Sequence, residues 1–408
     1  MTIPTLPHVI VLVIDRLGAG WLGPYGTTWI DTPQLNQLAA ESLLCEFMLS
    51  DSFQLATIYR SYWQGLAAHC TLPTAPWPSL PELAKQAGLQ PWLVTDDPSL
   101  LELPGAGDFQ EQLLLRATPP KKAVRDIAHM QIADLFRTAA EQLQHATQPT
   151  LLWLHASAMQ SAWDAPYEFC EQFAGEEDPR PPKLCLPPEH VFTTKPDPDE
   201  LLGYVHSYAG QVVAVDACIG AFREEIANYS PPENTWLIVT SPRGYPLGEH
   251  RRVGAIGDAL RGELLQVPLI IRMPQQEQQL TRLNSVQQPV DLFATLAGIC
   301  GTNLPCGLNL RQVAADEIPP SPLAIAWSEH ERALRTPAWF YREAGTGDDK
   351  QRELYGKPDD RWEVNEIAGR VSEVVAACET VLAELESQRE SPLRINPLLP
   401  EVLRRSLA

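Results

Sequence analysis

Long hydrophobic runs are missing from this 408-residue chain. No segment has the roughly 20 consecutive apolar residues that a membrane-spanning helix requires. Cysteine is sparse, with eight residues. The closest pair, Cys300 and Cys306, has no second thiol or histidine at zinc-site spacing, so both are expected to be free buried thiols. Bases are outnumbered, 31 Lys and Arg against 51 Asp and Glu, for a formal charge of −20. That balance argues against nucleic acid or an anionic membrane as the main partner. No basic segment or signal-type apolar run precedes the strand pattern that begins at residue 8. With so few cysteines, a reducing, cytoplasmic setting is the expectation. No internal repeat is evident.

Apolar residues make up 44% of the chain, enough for a large core, and the chain is organised around its first strand. In His8–Ile14, six consecutive Val, Ile and Leu residues leave no polar face, so the strand is expected in the middle of a parallel sheet. The residues just beyond its carboxyl end, Asp15 and Arg16, then enter the crevice where open α/β sheets hold their ligands. Thr32 and Pro33 open a helix with Leu35, Leu38 and Leu43 as its apolar stripe. Ser79 and Glu82 form a capping box. Strands are expected at 91–95, 151–155, 236–240 and 267–272, with helices at 124–145, 201–228 and 289–301. The proline-rich stretch 160–200 reads as an ordered-to-mobile surface excursion. Two short strands at 323–327 and 338–342, a helix at 364–387 and a docked or loose tail over 391–408 follow. The predicted class is α/β: a doubly wound, mostly parallel sheet flanked by helices in 1–317, with a small α+β C-terminal subdomain in 318–408.

Several motifs resemble the sulfatases, a branch of the alkaline phosphatase superfamily. The opening reads Asp15-Arg16-Leu17-Gly18, Gly23-Pro24-Tyr25-Gly26, Thr32-Pro33-Gln34-Leu35 and Leu38-Ala39-Ala40-Glu41. Further matches are the segment 262–272, the helix at 289–301, and Glu353-Leu354-Tyr355 with Asn365-Glu366-Ile367-Ala368. The resemblance implies an alkaline phosphatase-like fold. It also implies a dication held by two aspartates after the first strand and by an Asp followed by Asn or His after a late one. Here those positions read Asp15-Arg16 and Pro242-Arg243, so one of four ligands remains. The family nucleophile, a Cys or Ser matured to formylglycine, falls on Ala56 when aligned on Arg60, or on Leu55 when aligned on Gly65. The family lysine after Gly248-Glu249-His250 falls on Ala255.

Guanidinium neither deprotonates nor coordinates, so no metal and no cofactor is expected here. Asp15, Arg16, Arg243, His250 and His155 are candidate binding residues for a small sulfate- or phosphate-type anion. The alternative is that the arginines pair with Asp15 and fill the space the metal left. The implied function is a sulfatase-like protein that has lost metal-dependent sulfate-ester hydrolysis and acts as a binding or scaffold protein. A second reading is an atypical metal-independent hydrolase of sulfate or phosphate esters, with Thr57 or water attacking and Arg60, Arg16 and Arg243 stabilising charge. Thr57 also suits a plain helix start, and His155 a buried structural role. A third reading is an interaction protein that works through the proline-rich excursion and the acidic surface. Asp96 and Asp97 read as a solvated turn before Pro98. The sequence does not give the protein partner.

Overall fold

The computed structural model describes residues 6–73, 77–116, 118, 120–255, 259–345, 347–393 and 399–405. The chain forms two compact units.

The first unit, 1–44, 84–257 and 267–281, holds most of the large sheet. Its strands are β1 (His8–Ile14), the start of β2 (Leu43–Leu49), β3 (Gln90–Thr95), β4 (Glu111–Leu114), β5 (Thr150–Ala156), Thr235–Thr240 and Leu269–Arg272. β1 lies between β5 and Thr235–Thr240, parallel to both, with Val13 facing His155 on one side and Thr240 on the other. β3 and β4 extend the parallel set beyond β5. Leu269–Arg272 runs antiparallel to Thr235–Thr240 and to the start of β2. Val9 to Ile14 are fully buried, as a strand with no polar face must be.

The helices differ from expectation mainly at their ends. α1 (Pro33–Ala40) buries Leu35 and Leu38, but Leu43 already belongs to β2. Thr32 does not cap α1, because its hydroxyl accepts from Gly23 N at 3.0 Å. The expected helix at 124–145 is shorter: a tight turn, Ile127–His129, is capped by Asp126, and the regular helix runs Gln131–Gln144. The central helix Pro198–Ile226 is capped by Asp197 and buried around most of its circumference. The segment 160–200 is less loose than its prolines suggest. Trp163, Asp164, Cys170 and Cys185 are buried, and the short helix Tyr167–Glu171 packs on the central helix.

The second unit comprises 45–83, 258–266 and 282–408. It contains α2 (Leu55–Gln64), the capping box Ser79–Glu82, and the helix Pro289–Ile299, closed by a capping box between Gln288 and Asp291. Its antiparallel sheet has four strands where two were expected: Ala324–Trp327, Glu331–Arg335, Trp339–Ala344 and Gln351–Gly356. The two additional strands carry charges that the fold neutralises. Arg342 pairs with Glu331 and, at 3.2 Å, with Glu353, which also holds Arg261 at 2.7 Å. The final helix is Ser372–Ser387, shorter than the expected 364–387, because Val364 is 81% exposed and Glu366 is occupied by Leu354 N and Ala368 N. Of the expected tail, Leu399 and Leu403 are buried against this helix, so that part is docked. Residues 394–398 and 406–408 lie outside the described residues. No helix among the described residues is long and apolar enough to cross a membrane.

The central helix depends on one close approach. A Cβ on Gly210 would lie 2.7 Å from the backbone nitrogen of Cys170. Backbone cannot swing aside, so Gly210→Ala is expected to lower stability by about 1–3 kcal/mol in urea unfolding. Gly107→Ala, where nothing lies within 4 Å, is the neutral control.

Candidate functional site

The site lies within the first unit, where β1 ends. Asp15 N still donates to Ala156 O at 2.9 Å, extending the ladder by one residue. Arg16 then takes a φ of 66°, the left-handed region that turns the chain sharply. Three contacts fix this turn. Tyr208 Oη donates to Arg16 O at 2.7 Å and accepts from Gly18 N at 3.2 Å, and Leu17 N donates to Ser241 Oγ at 3.2 Å. Ser241 Oγ in turn donates to Arg243 O at 2.7 Å, tying together the loops after two neighbouring strands.

Arg243 meets Asp15 as a fork: Nε donates to Oδ1 at 3.0 Å and Nη2 to Oδ2 at 2.9 Å. Asp15 is 1% exposed and the Arg243 side chain 14%. Burial by itself would raise the Asp15 carboxyl, but the charge and hydrogen bonds of Arg243, with smaller contributions from Arg16 and His155, hold it below its ordinary value. Arg16, whose charge also acts on Asp15, makes hydrogen bonds of its own. It is 1% exposed, its Nε donates to Gln160 Oε1 at 2.9 Å, and its Nη1 reaches Gly244 O at 3.4 Å.

His155 is fully buried on β5, and burial lowers its pKa against the opposing pull of Asp15, Asp96 and Asp97. Asp97 caps the turn Pro98–Glu102, as a turn residue should. Asp96 is no solvated turn residue: it is half-buried, accepts from Ser157 N at 2.7 Å, and burial raises its carboxyl. His250 is half-buried in the tight turn Glu249–Arg251, with a φ of 51°.

The remaining candidates belong to the second unit. Leu55 and Ala56 open α2, and Thr57 donates to Gln54 Oε1 at 3.4 Å. Arg60 Nη2 donates to Ala67 O at 3.2 Å and Ala68 O at 3.1 Å, holding the loop after the helix. Sequence reasoning missed Asp51, which sits just beyond β2 as Asp15 sits beyond β1. That shared position was the available signal. Asp51 is 1% exposed, accepts from Ser61 Oγ at 2.5 Å and Ala68 N at 2.8 Å, and is pushed by burial to about 6. His69 nearby in sequence is buried and pulled down to about 4, by burial first and then by Arg60 and Arg389.

A hard dication needs several converging oxygens. At the end of β1 both Asp15 oxygens are engaged by guanidinium, and Arg16, Pro242 and Arg243 bring no anionic oxygen to the family's ligand positions. The residues present do not fit the metal.

The sheet, its flanking helices and the antiparallel C-terminal sheet define an alkaline phosphatase-type architecture. Residues 7–302 match the sulfatase family model, and the chain belongs to the sulfatase family. It is 30% identical over 118 residues to N-acetylglucosamine-6-O-sulfatase of Bacteroides thetaiotaomicron, covering 28% of this chain and 21% of that protein. It is 33% identical over 73 residues to the uncharacterized sulfatase YidJ of Escherichia coli, covering 18% and 14%. These matches span about a fifth or less of either relative. Among solved structures, BT4656 in complex with its substrate D-glucosamine-2-N,6-O-disulfate superposes with a TM-score of 0.75 at 17% identity, over 95% of this chain and 98% of that one. The phosphonate monoester hydrolase of Agrobacterium radiobacter gives 0.75 at 17%, over 94% and 96%. At such identity these likenesses establish the fold alone.

The Asp15 pair makes stability depend on pH with a definite sign. The folded carboxyl lies below its ordinary value of 3.8, so its contribution is complete above that value and is lost as pH falls through the lower folded value. At pH 7 Asp15→Asn is expected to cost about 3–5 kcal/mol, because it breaks a largely buried ion pair by removing one charge. The difference from wild type should shrink below pH 3.8 in urea unfolding across pH.

Proposed function

We propose that this sulfatase-family protein has given up metal-dependent ester hydrolysis and acts as a non-catalytic binding protein, with the crevice at the end of β1 receiving a small sulfate- or phosphate-type anion. One observation carries this reading: the Arg243 fork on both oxygens of Asp15. A guanidinium supplies permanent positive charge without coordination chemistry; its Nε–Nη2 edge is taken by Asp15, so an anion would meet the part of the guanidinium that stays exposed. It neither lowers the pKa of a bound water nor activates an alkoxide, which is the metal's part in hydrolysis. Arg243 keeps 14% of its side chain exposed, within reach of a solute. The nucleophile positions hold Leu55 or Ala56, which have no thiol or hydroxyl to mature. Thr57 does carry a hydroxyl, but its contact is the amide of Gln54, which is no general base.

Three measurements test the proposal together. Calorimetric titration with calcium or magnesium is expected to give no specific heat. Turnover of p-nitrophenyl sulfate and p-nitrophenyl phosphate is expected at the level of the no-protein control. Sulfate is expected to raise the melting temperature of the wild type more than that of Arg243→Met. Stoichiometric calcium binding abolished by Asp15→Ala, or turnover abolished by Thr57→Ala, would contradict it.

A further inference from the structure

A polar cavity of about 410 Å³ lies at the opposite end of the first unit's sheet from Asp15, between the central helix and the chain around α1. Its wall includes Arg272, the last residue of its strand, where it pairs with Leu237 near the start of Thr235–Thr240. Asp15 lies past the far end of β1, five residues beyond Ile10, the partner of Leu237, or roughly 16–17 Å along the sheet at about 3.3 Å per residue.

Arg272 is 5% exposed, and among the described residues no carboxylate pairs with it. Its hydrogen bond is from Nη2 to Thr235 O, at a long 3.4 Å, and its buried Nε has no partner. Ser230, 2% exposed on the same wall, also has a hydroxyl without a partner. The other guanidinium of the wall is already neutralised: Arg223 holds Glu41 at 2.8 Å and Gln34 O at 3.3 Å. Arg272 is therefore the buried charge of the lining and has no carboxylate in ion-pair contact, although the wall as a whole carries Glu41, Glu224 and Glu233 beside its two guanidiniums. A buried cation without a counter-charge is costly, and an arginine has five donors to satisfy. Burial and the charge of Arg223 push Arg272 below its ordinary value, against the pull of Glu41 and Glu233. A bound anion would relieve both pressures. Glu224 and Glu233 stand exposed at the mouth and repel a dianion more than a monoanion. Gln34, Gln37 and Gln276 supply amides suited to hydroxyl groups, and the volume is of small-molecule size.

We propose that this cavity is a binding site for a small hydroxylated monoanion, whose carboxylate or sulfate-ester head is held by Arg272. The site stands at the amino end of the parallel strands, apart from the crevice at their carboxyl ends, and does not depend on what that crevice does.

Calorimetry and thermal shift with gluconate, glucose 6-sulfate, glucose and inorganic phosphate test it on the full chain. Gluconate or glucose 6-sulfate, or both, are expected to bind and raise the melting temperature, and the one that binds better names the head group. Glucose, with the hydroxyls but no charge, is expected to bind at least tenfold more weakly, and any phosphate binding is expected to be unchanged in Arg272→Gln, since it belongs to the β1 crevice. Affinity should fall at least tenfold in Arg272→Gln. It should fall similarly in Ala227→Trp, an exposed wall position that narrows the cavity without touching the strand. Binding lost in both Arg272→Gln and Ala227→Trp reports this site, and any binding those variants keep reports the β1 crevice. Failure of both acids to bind the wild type would overturn the proposal. So would equal binding of glucose, or affinity unchanged in folded Arg272→Gln and in Ala227→Trp.

Discussion

A carboxylate buried at the end of the central strand must be compensated, and the Asp15–Arg243 pair is how this protein does it. The compensation is positional. Asp15 follows β1 and Arg243 follows Thr235–Thr240, strands that are adjacent and parallel, so the sheet brings the two loops together before any side chain meets. Ser241 and Tyr208 then hold those loops in register. In a sulfatase framework the same place calls for converging oxygens around a cation. A guanidinium gives the charge without coordination chemistry, and in the proposed reading the framework persists without its reaction.

That distinction organises the rest of the molecule. The match to the sulfatase family model runs over residues 7–302, which include the apolar β1 and the helix Pro289–Ile299. The residues that depart from the family motif at the ends of β1 and Thr235–Thr240 are Arg16, Pro242 and Arg243. Even α2, where the nucleophile would open the helix, keeps its internal supports. Asp51 is held by Ser61 and Ala68, and Arg60 is held by the carbonyls of Ala67 and Ala68.

Much of this was legible in the sequence, and the limits have physical causes. β1 and Thr235–Thr240 were readable because continuous Val, Ile and Leu admit no exposed face. The strands Glu331–Arg335 and Gln351–Gly356 were not, because their charges become strand-compatible only when Arg342, Glu331 and Glu353 meet across the sheet. The pairing of Arg243 with Asp15 followed from strand adjacency. The destination of Arg16 did not, since a left-handed φ of 66° is a property of the backbone, and it sends the side chain to Gln160 and Gly244. Asp96 was misjudged for a related reason: its partner, Ser157 N, lies across the sheet at the end of β5. The cavity at Arg272 had no signature in the sequence, because it exists only where a helix and a strand from distant parts of the chain share a wall.

The central claim is that Arg243 occupies the place of the family's metal. It is tested most directly by a high-resolution crystal structure from crystals grown in excess calcium. The account predicts the Arg243 guanidinium still forked on both oxygens of Asp15. A calcium ion bonded to Asp15 at about 2.3–2.6 Å, with Arg243 displaced, would contradict it.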